Sequence, residues 1–174
     1  VMHYNDGSEI PTGYSNNDWI NLSTGASTLY DDNPANADTY GYLYNWYAVE
    51  DERGVCPEGW NVPTDDEYTE LTDYLSGLSV AGGNLKECTE GNCPESEYWN
   101  SPNTGATNES GFTGLPGGYR FSSNGGYDYM GGYGHFWSSA EGNLNDAWSR
   151  ELGYSYSEID RYDYDKNYGF SVRC

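Results

Sequence analysis

Two residue types dominate the side chains that could do chemistry here: 28 carboxylates, against only 7 lysines and arginines, and 19 tyrosines, against only 4 phenylalanines. Asp163-Tyr-Asp165-Lys-Asn167-Tyr-Gly169 places three oxygen-bearing side chains at alternate positions ahead of a glycine, as the start of a calcium loop does. Asp163, Asp165 and Asn167 are therefore candidate calcium ligands, and calcium is the one cofactor the sequence suggests. The segment departs from a full calcium loop because Tyr168 stands where the turn glycine belongs and no glutamate closes it. A hairpin loop accounts for the same residues, since Asp and Asn are turn formers.

Catalysis is poorly provided for. There is no G-x-S-x-G elbow, the two histidines, His3 and His135, lie far in sequence from any cysteine, and no cysteines are spaced C-x-x-C. Carboxylate pairs of the kind a glycosidase uses are plentiful. The run Asp65-Asp66-Glu67, however, is explained by a helix N-terminus, where negative charge is favoured. The expectation is a protein that is not an enzyme.

The tyrosines are the stronger signal. Tyr127, Tyr129 and Tyr133 lie in a Gly-rich stretch, and Tyr154, Tyr156, Tyr162 and Tyr164 flank a strand among Ser, Asp and Asn, with Trp137 and Trp148 nearby. Tyr combined with Ser, Gly and Asn is the composition of recognition surfaces, because Tyr offers amphipathic area with few torsions to freeze. Alternating Tyr could instead form one sheet face packed under a loop. Nineteen are too many for the core of a chain this size, so these nine residues are taken as a binding or assembly face.

The elements that must position them begin at Cys56-Pro-Glu-Gly-Trp60-Asn-Val62-Pro-Thr64-Asp-Asp-Glu67-Tyr68. Thr64 with Glu67 three residues on is a capping box, and Tyr68, Leu71 and Leu75 repeat on one helical face before Gly77. A helix over about 65–76 is predicted, with Trp60 and Val62 entering the core ahead of it. Residues 40–49 read as a strand running into one helical turn, and 77–111 read mostly as loop. Short strands are expected at 134–139, 147–152 and 158–162. Residues 168–174 alternate cleanly, Tyr168, Phe170, Val172 and Cys174 facing one way. The fold class is α+β: short antiparallel strands, one clear helix and long loops.

Residues 1–40 are polar and rich in turn formers, but Trp19, Ile20, Leu22, Leu29 and Tyr30 are spaced to pin a wandering loop. Asn21 and Asn108 begin N-glycosylation sequons. At 174 residues the chain fits one domain, 1–174, and its net charge of −21 opposes contact with nucleic acid or anionic membrane. No apolar run is long enough to span a bilayer. The start at Val1 predicts a processed product or an excerpt of a longer precursor. Four cysteines on so acidic a chain point to an oxidising, extracellular setting. They allow three pairings; a local bridge between Cys88 and Cys93 would close a short polar loop and leave Cys56 for Cys174.

Several segments carry a family likeness: Y-G-Y-L-Y-N-W-Y-A-V (40–49), C-P-E-G-W-N-V-P-T-D-D-E-Y (56–68), W-N-S-P-N-T-G-A-T-N-E-S-G-F (99–112), L-P-G-G-Y-R (115–120), F-W-S-S (136–139) and Y-G-F-S-V-R-C (168–174). In order, over nearly the whole chain, they resemble the Fibrobacter succinogenes major paralogous domain family. The resemblance implies a C-type-lectin-like fold related to that of the formylglycine-generating enzymes, in secreted or surface proteins of Bacteroidetes and related bacteria, and implies no established activity. The cysteines do not reproduce the copper-binding pair of those enzymes. Family members usually carry a leader and a further strand-like segment before the position of Val1, so a vacancy at a sheet edge is expected. Asn145-Asp146 before Trp148 resembles, in altered order, the Trp-Asn-Asp calcium ligands of sugar-binding C-type lectins.

Two functions follow as expectations. In one, the chain is a secreted, non-enzymatic adhesin-like module whose Tyr/Trp face binds carbohydrate or protein. In the other it is a structural subunit that self-assembles into an extracellular filament, a homo-oligomer in which residues 1–35 form an arm reaching a neighbour.

Overall fold

The computed structural model describes residues 2–88 and 93–174, and the loop between Cys88 and Cys93 lies outside the described residues. The architecture is α+β. Among the described residues five α-helices, α1 (Asn16–Trp19), α2 (Ala37–Tyr40), α3 (Trp46–Val49), α4 (Asp65–Tyr74) and α5 (Leu78–Leu85), accompany seven strands. A two-stranded pair joins β1 (Ser27–Thr28) to β2 (Leu43–Tyr44). The main sheet contains β3 (Gly117–Arg120), β4 (Tyr127–Met130), β5 (Tyr133–Glu141), β6 (Asp146–Gly153) and β7 (Ile159–Asp165), in the order β4-β3-β5-β6-β7. Its pairings are antiparallel except β3 with β5, which is parallel, so the expectation of a purely antiparallel sheet is corrected there.

The capping box forms as predicted: the Glu67 N–H donates to Thr64 Oγ1 at 3.1 Å, and the Thr64 N–H donates to the Glu67 carboxylate at 2.8 Å. Helix α4 stops at Tyr74, short of 76, because Ser76 (φ +78°) and Gly77 (φ +90°) enter the left-handed region. The Gly77 N–H closes on the Thr72 carbonyl at 2.9 Å. Helix α5 then begins at once, where a loop was expected. Its Gly82-Gly83 pair argues against a helix on propensity, yet both glycines are required by close approach. A Cβ on Gly82 would lie 2.8 Å from the Ser157 carbonyl oxygen, and one on Gly83 would lie 2.8 Å from the Gly105 carbonyl carbon. Trp60 is a second correction: it is 66% exposed, while Val62 alone enters the core.

Alternation along the sheet separates two cores. On one face Phe136 and Leu152 pack with Tyr68 of α4, Leu75 just beyond it, Ala81 and Leu85 of α5, and Ile159. On the other, Trp137 and Ala147 pack with Tyr44, Trp46, Val49 and Phe170. Like charges face each other where Arg150 pairs with Arg161 across β6 and β7, and Asp65 at the start of α4 binds both, Arg150 Nη1 at 2.6 Å and Arg161 Nη2 at 2.8 Å.

Residues 168–174 are a wedge of single bridges rather than a strand. The Phe170 and Tyr44 backbones exchange hydrogen bonds at 2.7 and 3.0 Å, those of Gly169 and Arg120 at 2.9 and 3.0 Å, and Trp137 donates to Ser171 at 3.0 Å. Both disulfides are present, Cys56–Cys174 and Cys88–Cys93. The N-terminal segment is no free arm. Tyr4, Ile10 and Trp19 are buried against their own chain, and fully buried Arg120 lies 4.4 Å over the Trp19 ring while donating to the Tyr14 carbonyl.

Candidate functional site

On the core face that carries Trp137, β5 and β6 bring His135 and Glu151 directly opposite each other. Because side chains alternate along a strand, Tyr133 on β5 and Tyr164 on β7 project beside them. Tyr119 from β3, Tyr129 from β4 and Tyr168 from the wedge complete a pocket of about 190 Å³ lined by five tyrosines, His135 and Glu151. Tyr119 and Tyr129 stack with centroids 5.6 Å apart, and Tyr133 meets Tyr129 edge-on at 5.1 Å. Tyr129 holds φ at +64°, a conformation that costs a side-chain-bearing residue about 1–3 kcal/mol. Such strain concentrates where a side chain must be aimed.

Glu151 is the one carboxylate among the lining residues. Its oxygens accept the hydroxyls of Tyr156 at 2.8 Å and Tyr164 at 3.2 Å. Burial raises its pKa, and those two hydrogen bonds pull the other way without cancelling the rise. Burial also raises the pKa of Tyr156 and of Tyr164, as does Glu151 beside them, so both remain protonated donors. His135 is almost fully buried and stacks on Phe170 at 4.5 Å. Burial pushes its pKa down to about 3, so the imidazole is neutral and its 3.6 Å approach to Glu151 is not an ion pair. Its Nδ1 is buried without a partner among the described residues. The hydroxyls of Tyr119, Tyr129 and Tyr133 likewise have no hydrogen-bond partner among the described residues. The pocket therefore presents one half-buried carboxyl group, a neutral imidazole and three unused hydroxyls among aromatic faces.

Of the nine aromatic candidates, Tyr129, Tyr133 and Tyr164 line this pocket and Tyr156 holds its carboxylate. The others lie elsewhere. Trp137 has no exposed surface and donates to the Tyr44 carbonyl at 2.8 Å, so its place on a binding face is corrected: it is core. Trp148 is half-buried under the Arg161 guanidinium, 3.4 Å from its ring. Tyr154 packs on the helix-side core, and Tyr162 is 50% exposed beside Tyr164. Tyr127 turns away, its hydroxyl 2.7 Å from Thr28 Oγ1 and 2.9 Å from Asp32.

The Asp163, Asp165 and Asn167 trio closes a turn: Asp165 Oδ1 accepts the Asn167 N–H at 2.8 Å, and the Asn167 amide donates to the Ile20 carbonyl at 3.1 Å. Among the described residues no three His, Cys, Asp or Glu side chains gather as a metal site.

Tyr119, His135, Glu151 and Tyr168 were missed from sequence. A signal existed, since Glu151 is the lone carboxylate in the strand Ala147–Leu152 and shares its two-residue period with Ala147 and Ser149, both buried.

The family model described as the Fibrobacter succinogenes major domain matches residues 1–174. No curated protein and no solved structure matches the chain.

Proposed function

From the premise that the chain belongs to the Fibrobacter succinogenes major domain family, we propose that it is an extracellular, non-enzymatic module of C-type-lectin-like fold, one domain over 1–174, whose tyrosine pocket binds a single ring of a glycan. The observation that carries this is Glu151, an anion held in place by Tyr156 and Tyr164 at the base of a wall of aromatic faces and free hydroxyls. A sugar hydroxyl donating to that carboxylate makes a charge-assisted bond, worth about 1.5–3 kcal/mol, because the carboxylate is already partly withdrawn from water. Tyrosine faces suit the C–H side of a pyranose ring, and the 190 Å³ pocket holds about six waters' worth of volume, enough for one such ring. Hydrolysis by a carboxylate pair would need a second acid, and none lines the pocket among the described residues. No cofactor forms part of the proposal.

Two disulfides support the extracellular setting. A glycan array followed by calorimetry tests the reading. Tyr133→Phe and Glu151→Gln should each weaken the best ligand about tenfold or more, and a blank array or unchanged affinity would refute it.

The filament reading is favoured by a separate observation. Tyr74, Leu78 and Val80, around the turn between α4 and α5, are 85%, 59% and 41% exposed. At a net charge of −21, copies would associate only under salt screening, and sedimentation that shows a monomer at every salt concentration removes this reading.

A further inference from the structure

A second cavity, of about 420 Å³, lies at the corner where α4 begins and the Cys56–Cys174 disulfide closes. Trp60, Tyr68, Leu71 and Phe112 give it apolar and aromatic walls, and Asn61 and Ser110 add polar groups. Trp60 is two-thirds exposed, although its neighbour Val62 is buried, so the chain holds a large aromatic at the surface beside a space that ring does not fill.

The electrostatics of the groove are unusual for this molecule. Seven cationic side chains face 28 carboxylates, and six of the seven are engaged. Arg53 pairs with Asp51, Arg150 and Arg161 share Asp65, and Lys166 is on Glu141. Lys86 donates to three carbonyls, and Arg120 to those of Gly125 and Tyr14. Arg173 alone has no hydrogen-bonded partner among the described residues; its guanidinium lies 5.3 Å over the Phe112 ring and lines this groove. Glu67, the acidic side chain among the groove's described lining residues, is turned to the backbone and hydroxyl of Thr64. The buried Tyr68 hydroxyl, on the same wall, also lacks a partner among the described residues. A chain so rich in acid would ordinarily neutralise an arginine with its own carboxylates, and here it leaves one fork open beside two aromatic faces.

We propose that this groove is a second binding site, specific for the uronate residues of an acidic polysaccharide. Arg173 pairs with the sugar carboxylate through the two-point geometry that a planar guanidinium offers, and the ring stacks against Trp60 and Phe112. A uronate supplies both features in one residue: a flat C–H face and an anion fixed to the same ring. An apolar peptide would use the walls and leave Arg173 unmatched. A neutral sugar would do the same. The volume, over twice that of the tyrosine pocket, admits more than one ring.

Calorimetry with a galacturonate trisaccharide and with its methyl ester, at low and at moderate salt, tests the assignment. The acid should bind, and the ester should bind at least tenfold more weakly at either salt concentration. Arg173→Gln should reduce affinity about 10- to 100-fold and Arg173→Lys should restore only part of it. Trp60→Ala, at an exposed position, should cost about tenfold and leave the melting curve in place. Glu151→Gln, in the tyrosine pocket, should leave uronate binding unchanged, which separates this site from that one. No binding at millimolar trisaccharide, equal binding of acid and ester, or indifference to Arg173→Gln would each overturn the proposal. An acidic peptide that binds more tightly than the trisaccharide, with the same dependence on Arg173, would overturn the saccharide assignment.

Discussion

Replacing Cys56 and Cys174 by serine should lower stability by about 5 kcal/mol. The bridge spans 118 residues, and the chain-entropy relation for closing such a loop in the denatured state gives that figure at 25 °C. The folded state keeps other holds on the same segment: Phe170 remains bonded to Tyr44, Gly169 to Arg120 and Ser171 to Trp137. The loss therefore acts through the denatured state, which expands when released. For a domain of this size the melting temperature should fall by about 10–20 °C. The urea m-value should rise, because more surface is exposed on unfolding. Removing Cys88 and Cys93, only five residues apart, should cost about 2 kcal/mol on the same relation. Urea and thermal unfolding of both double variants, followed by circular dichroism, provide the comparison. If the long-range variant loses no more than the short-range one and its m-value is unchanged, loop entropy is the wrong account of what this bridge does.

Four further outcomes are expected. Asp65→Asn should cost about 3 kcal/mol, because Arg150, 2% exposed, loses its anion while keeping neutral acceptors in the Asp65 carbonyl and Thr69. Burial pushes the Asp65 carboxyl up but the hydrogen bonds from Arg161 and Arg150 more than reverse this, so its contribution is full above the ordinary aspartate pKa and vanishes as pH falls through the lower folded value; stability that stays flat through that acid window would contradict the assignment. Glu151→Gln should be more stable than the parent at pH 7 and bind glycan less well. Because the folded pKa of Glu151 is raised, that advantage should shrink as pH falls towards the unfolded glutamate value, and a melting comparison at pH 4 and 7 checks the sign. Gly82→Ala should cost 3 kcal/mol or more, on the order of a severe core overpacking, since the new methyl meets the Ser157 and Glu158 backbone; a gain in stability from helix propensity would show that the contact yields. Millimolar calcium should leave the melting temperature unmoved, and a rise that disappears in Asp165→Ala would restore the calcium loop.

The sequence made legible what is local. The Thr64–Glu67 capping box, the short strand and turn at 43–49, and the alternation in 134–139 and 147–152 each depend on residues close together in the chain, and each formed. Helix α5 was hidden because Gly82 and Gly83 disfavour a helix locally, and only the approach of Ser157, Glu158 and Gly105 from distant sequence makes them necessary. Trp60 and Trp137 exchanged their expected roles for a similar reason. Hydrophobicity says that a tryptophan gains from burial, but the sheet offers an enclosed position to Trp137 alone. The tyrosine pocket was half visible, since Tyr129, Tyr133 and Tyr164 announce themselves by composition. Glu151 is marked only by its place in the buried period of its strand, and His135 not at all, because their importance lies in facing each other across two strands.

The wedge at 168–174 imposes a timetable. Trp137 and Tyr44 find their ring and backbone partners in Phe170, so the core around Trp137 stays open until that residue arrives. Synthesis runs amino end first, so that core must wait, unlatched, for residues 168–174.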